Sequence, residues 1–134
     1  MPKTRPELNE AVILGVADAI EREPELYNQS VPPSPDCNSP CCVAGWAPYV
    51  KGGVNLYRAY FGKCNSKTQA SLRALQECFG ITLEESWELY SGNFMSPFDR
   101  RYCGAITRLT AAKAVADMLR EVVRRNQAGE PLGL

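Results

Sequence analysis

A chain of 134 residues, 45% of them hydrophobic, is long enough for one domain with one core and too apolar to stay disordered. Fifteen basic and fifteen acidic residues cancel, so no overall field draws the chain to nucleic acid or anionic lipid. The chain has no histidine, which removes Cys–His and Ser–His catalysis, a histidine proton shuttle and every zinc site that needs an imidazole.

In chain order, residues 7–22 read as an amphipathic helix. Pro6 stands at its start, Leu8, Val12, Val16 and Ile20 recur at i+4, and Ala11, Ile13 and Ala17 widen the stripe. Pro24 ends the pattern. Pro32, Pro33, Pro35 and Pro40 then mark residues 28–40 as a loop.

That loop runs into Cys37-Asn38-Ser39-Pro40-Cys41-Cys42-Val43-Ala44-Gly45-Trp46-Ala47, which holds three of the six cysteines and one of the two tryptophans. Ser39 and Pro40 suit the cap and first position of a helix. Ala44, Gly45 and Ala47 leave one side almost without bulk, so a second backbone can approach there, and Trp46 fills space beside it. Pro48 is expected to stop or kink this short helix. Lys51-Gly52-Gly53 is a clear break, after which residues 54–61 form two turns with Leu56, Tyr57, Tyr60 and Phe61 on one side.

Ser66 and Gln69 have capping-box spacing, with Leu72, Leu75 and Phe79 following and Gly80 as the stop. Thr82 and Glu85 repeat the signal, with Leu83, Trp87 and Tyr90 on one face, so the two helices should make a tight corner. Residues 93–106 read as loop. The last helix is expected from about residue 107 to 125 along Leu109, Ala112, Ala116, Leu119 and Val123, with Arg120, Arg124 and Arg125 near its negative end. The tail from residue 127 is expected to fray after a single α-helical domain over residues 1–126. No segment alternates with period two, so the class is all-α: a compact bundle of about five helices around the short Cys/Ala/Gly/Trp helix.

These features together resemble a family of small uncharacterised bacterial and phage proteins. The runs that carry the resemblance are Pro24-Glu25-Leu26-Tyr27, the Cys-x4-Cys-x-Ala-Gly-Trp-Ala segment from Cys37 to Ala47, and Phe79-Gly80-Ile81-Thr82-Leu83-Glu84-Glu85-Ser86-Trp87. Asn38 stands where that family has glycine, and Pro48 interrupts its longer helix. The resemblance implies an α-helical fold and brings no established activity with it.

The site candidates are Cys37, Cys42, Trp46, Tyr57 and Tyr60. A thiol at a helix N-terminus is acidified and can act as nucleophile or redox centre. Yet free cysteine also behaves as a small buried hydrophobe, and no base is in view to activate it. Cys37, Cys41, Cys42 and Cys64 or Cys103 supply enough sulfur for a metal, but no Cys-x-x-Cys pair is present, and neighbours on a helix point about 100° apart. No metal or other cofactor is therefore expected. Arg100, Arg101 and Arg108 form a basic patch that, beside Asp99, reads as solvated surface, so nucleic acid is not the expected partner. Glu84, Glu85 and Glu88 lie in the first turns of a helix, where acids are stabilising. With no leader-like start and no run long enough for a bilayer, the cysteines read as reduced thiols and the setting as cytoplasmic. The expected function is non-enzymatic: binding of a partner protein or small ligand near Cys37–Trp46, with thiol-redox or Cys-ligated metal chemistry as the alternative.

Overall fold

A computed structural model describes residues 2–23, 43–62, 65–91 and 108–134. Among the described residues there are five helices and no strand. They are α1 (Glu10–Arg22), α2 (Val43–Phe61), α3 (Lys67–Phe79), α4 (Leu83–Ser91) and α5 (Arg108–Ala128). The all-α bundle expected from the period of the apolar residues is what forms. None of these helices is long and apolar enough to cross a membrane.

α1 starts three residues later than the apolar stripe suggested. Asn9 is the cap, its side chain accepting from the Val12 amide at 3.2 Å. Residues before it turn instead: Leu8 N–H donates to Arg5 O and Asn9 N–H to Phe79 O at 2.8 Å. The stripe itself is buried, Leu8, Val12, Val16 and Ile20 all entering the main core with Ala44, Trp46, Leu75, Leu89, Val115 and Leu119.

α2 packs against α1, α3 and α4. Contrary to expectation, Pro48 does not end its first part; the helix runs through it with Val43 to Pro48 all buried. Proline's fixed φ suits a helix, and the hydrogen bond it forfeits here is the one to the Ala44 carbonyl. The break comes where the glycines were expected to make it, at Gly52 (φ −144°) and Gly53 (φ 73°), the latter a conformation that side chains with a Cβ rarely adopt. The kink divides the helix between two apolar clusters. Its first part belongs to the main core, while Tyr57 and Phe61 pack with Ala70 and Ala74 of α3 in a smaller one. Gly45 is buried as expected. The tight approach between α1 and α2 runs through Gly15, where a Cβ would stand 2.7 Å from Val50 Cγ1.

α3 begins and ends as its caps dictate. Ser66 Oγ accepts from Gln69 N–H at 3.2 Å, and Gly80 closes the helix in the left-handed region (φ 74°), donating to Gln76 O. The α4 box is complete: Glu85 N–H donates to Thr82 Oγ1 at 3.1 Å and Thr82 N–H to Glu85 Oε1 at 2.9 Å.

α5 buries Ala112, Val115, Ala116, Leu119, Val122 and Val123 against α1. Arg120 clamps it there, donating to Glu21 Oε2 at 2.8 Å and Asp18 Oδ1 at 2.9 Å. The helix runs three residues past its expected end, and the segment expected to fray turns back instead. Asn126 is fully buried, Gly129 takes φ 74°, and Leu132 enters the core. Asn126 is the reason. Its Oδ1 accepts from the Arg5 amide at 2.7 Å, and its Nδ2 donates to Arg5 O and Glu10 Oε2 at 3.1 Å each. Both chain ends are thereby tied to one side chain.

Candidate functional site

Cys37 and Cys42 lie outside the described residues, as do Cys41, Cys64, Cys103, Arg100 and Arg101. The other three candidates stand on α2. Trp46 is 3% exposed and Tyr57 4%, each inside an apolar cluster. Buried there, neither presents a surface to a partner protein. The Trp46 indole N–H is buried with no hydrogen-bond partner among the described residues. Its ring meets Tyr49 edge-on at 5.8 Å, and Tyr49 meets Tyr57 at 6.4 Å, so the aromatics form a continuous packed row.

Tyr60 ends that row and is only half buried. Its hydroxyl donates to Glu77 Oε1 at 2.5 Å, and the Arg73 guanidinium stands 5.7 Å above its ring while also donating to Glu77 at 3.0 Å. Burial pushes the phenol well above its ordinary pKa, and the Glu77 carboxylate adds to this. The Tyr60 hydrogen bond in turn holds the Glu77 carboxyl below the usual range. Tyr60 and Arg73 line a shallow depression of about 270 Å³ with Asn65, Ser66 and Gln69. Each of its strongest groups already has a partner: Ser66 caps α3, and Arg73 and Tyr60 are both engaged with Glu77.

Cys78 sits beside this group, fully buried, and burial raises its thiol pKa. That is the environment of a packing cysteine, not a nucleophile. Among the described residues no three His, Cys, Asp or Glu side chains stand together as metal ligands.

The feature that sequence reasoning missed is on α4. Leu83, Trp87 and Tyr90 were expected to share one face, and Trp87 and Tyr90 do meet, edge to face at 6.2 Å. The side turned to the core, however, carries Ser86 and Leu89. Leu83 is 51% exposed and Trp87 47%. One turn apart, these two make an apolar row about 40° wide. Glu84 and Glu88 follow in a parallel acidic row about 100° round the helix. Glu85 faces Arg5, which donates to Oε2 at 2.9 Å through Nη2 and reaches Oε1 through Nη1. Burial works to raise the Glu85 pKa, but the Arg5 hydrogen bond and the Thr82 amide outweigh it and leave the carboxyl below its ordinary value. Arg5 and the capping box together fix how α4 is turned, and so which side chains it presents outward.

Compared with protein-family models, with curated proteins and with solved structures, the chain matches none of them.

Proposed function

We propose that this chain is a non-enzymatic interaction protein that docks a partner protein through the Leu83–Trp87 face of α4. One observation carries the reading. Two large apolar side chains one turn apart stand about half exposed on a helix whose orientation is set by an ion pair and a capping box. Covering what remains exposed of both is worth about 2–3 kcal/mol, enough for a pair of anchor residues within a larger interface. Tryptophan is among the residues that interfaces favour.

The rest of the chemistry supports a binding role over a catalytic one. No histidine is available as a base, and the Cys78 thiol is buried with a raised pKa. The α3–α4 corner has the short glycine-containing turn of a DNA-reading pair. But α4 carries three glutamates and no basic residue, which a phosphate backbone repels. The cytoplasmic setting expected from the cysteines belongs to the same proposal.

Two measurements test the reading. Acrylamide should quench an indole component that disappears in Trp87→Phe, since the other tryptophan is interior. A photo-crosslinking side chain at position 87 should then yield a discrete adduct in lysate of cells expressing the protein, lost when Leu83 becomes Ser. An unquenched Trp87, or no adduct at position 87, overturns the proposal.

A further inference from the structure

Resting on the docking face just proposed, we infer that Asn126, near the end of α5, is a positioning residue for that face. It acts through the N-terminal segment, which it holds so that Arg5 reaches α4.

The route is a series of hydrogen bonds. Asn126 is fully buried and brackets Arg5 on both sides, Oδ1 accepting from its N–H at 2.7 Å and Nδ2 donating to its carbonyl at 3.1 Å. The backbone carbonyl of Asn126 accepts from Thr4 N–H at 3.0 Å. The bracketing amide is itself held, since Nδ2 also donates to Glu10 Oε2, and the other oxygen of that carboxylate accepts from Lys3 Nζ at 2.8 Å. The backbone of residues 4 and 5 is thus fixed to α5 before the Arg5 side chain leaves it. That side chain meets Glu85 with two arms, Nη2 to Oε2 at 2.9 Å and Nη1 to Oε1. An arginine side chain has many rotamers, so a two-armed pair depends on where its backbone stands. A base displaced by about 1 Å stretches a 2.9 Å bond past hydrogen-bond range.

Glu85 is the point on α4 where this matters. α4 has nine residues, and isolated helices shorter than about 12 residues are marginal, so its orientation comes from tertiary contacts. At about 100° per residue, Glu85 lies about 180° round the helix from the middle of the Leu83–Trp87 row. The pair therefore grips the side opposite the docking face. A turn of α4 that brings Trp87 inward carries Glu85 off Arg5. The exposure of Trp87 depends in this way on an amide group carried by α5.

The test is fluorine NMR of the full chain grown on 5-fluorotryptophan, which gives one resonance each from Trp46 and Trp87, assigned with Trp87→Phe. Arg5→Met and Asn126→Ala should each move the Trp87 resonance in the same direction and leave that of buried Trp46 in place. In the double variant the shift should be no larger than in Arg5→Met alone, because both substitutions break one route. Gly15→Ala, which disturbs the α1–α2 contact instead, should leave Trp87 where it is. A Trp87 resonance indifferent to Arg5→Met overturns the inference, whether or not Asn126→Ala folds. Additive shifts in the double variant overturn it too, since Asn126 then acts by another route. So does equal movement of both tryptophans, which is general loosening. The docking face is judged separately: a Trp87 that responds as expected but gives no crosslinked adduct leaves Asn126 as the positioning residue of α4 and removes the face. An adduct at position 87 with an indifferent Trp87 resonance overturns this inference alone.

Discussion

Arg5 and Glu85 lie eighty positions apart, yet they form a two-armed ion pair that fastens the N-terminal segment to the first turn of α4. The same carboxylate closes the Thr82 capping box, so one side chain joins tertiary and local structure. Arg5→Met or Glu85→Gln is expected to lower stability by about 1.5–3 kcal/mol, the range for hydrogen bonds to charged groups.

The pair also sets an acid limit. Glu85 and Glu10 both titrate below their ordinary range in the folded chain, Glu10 chiefly through its bond from Lys3. The unfolded chain takes up those protons near a pH of about 4.3, the folded chain only lower. Their stabilisation is therefore complete above that value and lost as pH falls through the folded pKa. Urea midpoints measured from neutral to acid pH should fall across that window. In Glu85→Gln the fall should be shallower.

Asn126 holds both ends of the chain through three part-buried side-chain hydrogen bonds. Asn126→Ala leaves the Arg5 amide without a partner and the Arg5 carbonyl with the Leu8 amide alone, and should cost about 1–3 kcal/mol. The diagnostic readout is faster hydrogen exchange at the Arg5 amide. Loss of stability with that amide still protected would contradict the assignment.

Two glycines are there for different reasons, and their substitutions should behave differently. Gly80→Ala meets both a positive φ and the Glu7 carbonyl, so nothing nearby can relieve it. It should destabilise by about 1–3 kcal/mol. Gly15→Ala meets a side chain, Val50 Cγ1. Combining it with Val50→Ala should recover part of the loss, a coupling that thermal melts of the double-mutant cycle will read.

Cys78 should not react with a soluble thiol reagent in the native protein, because the thiol is fully buried and held protonated by that burial. Peptide mapping after labelling should find it modified only once denaturant is added. Rapid native labelling at this position would mean that the α2–α3 interface opens readily.

Much of this architecture is legible in the residues because it is local. Caps declare themselves by spacing, as Ser66 with Gln69 and Thr82 with Glu85 do, and the α5 stripe declares itself by period. The contact that turns α4 is not local. Its helix has apolar residues on two sides, Leu83 with Trp87 and Leu89 with Tyr90, and periodicity alone does not say which side is covered. Arg5 decides, from the far end of the chain. The C-terminal residues were misjudged for the same reason: a polar Asn126 reads as solvent-facing until the N-terminal backbone that it satisfies is placed beside it. The break expected at Gly52 and Gly53 forms there, while the stop expected at Pro48 does not, since proline's φ is compatible with a helix and a φ of 73° is not. Of the five proposed site residues, Trp46 and Tyr57 are core, Tyr60 borders a depression whose groups are already engaged, and Cys37 and Cys42 fall outside the described residues. The exposed pair on α4 was visible as two apolar letters, but its exposure was not.

The bend at Gly52 and Gly53 has a consequence for how the molecule comes apart. Tyr57 and Phe61 pack with Ala70 and Ala74 in a smaller apolar cluster than the one that secures the opposite end of the same helix, the Tyr49–Tyr57 ring contact linking the two. So small an anchorage should release before the whole protein unfolds, letting the C-terminal half of α2 swing out as an independent foldon. Under native conditions trypsin should then cut first at Lys51, at the joint, while the amides of α1 and α5 still resist exchange.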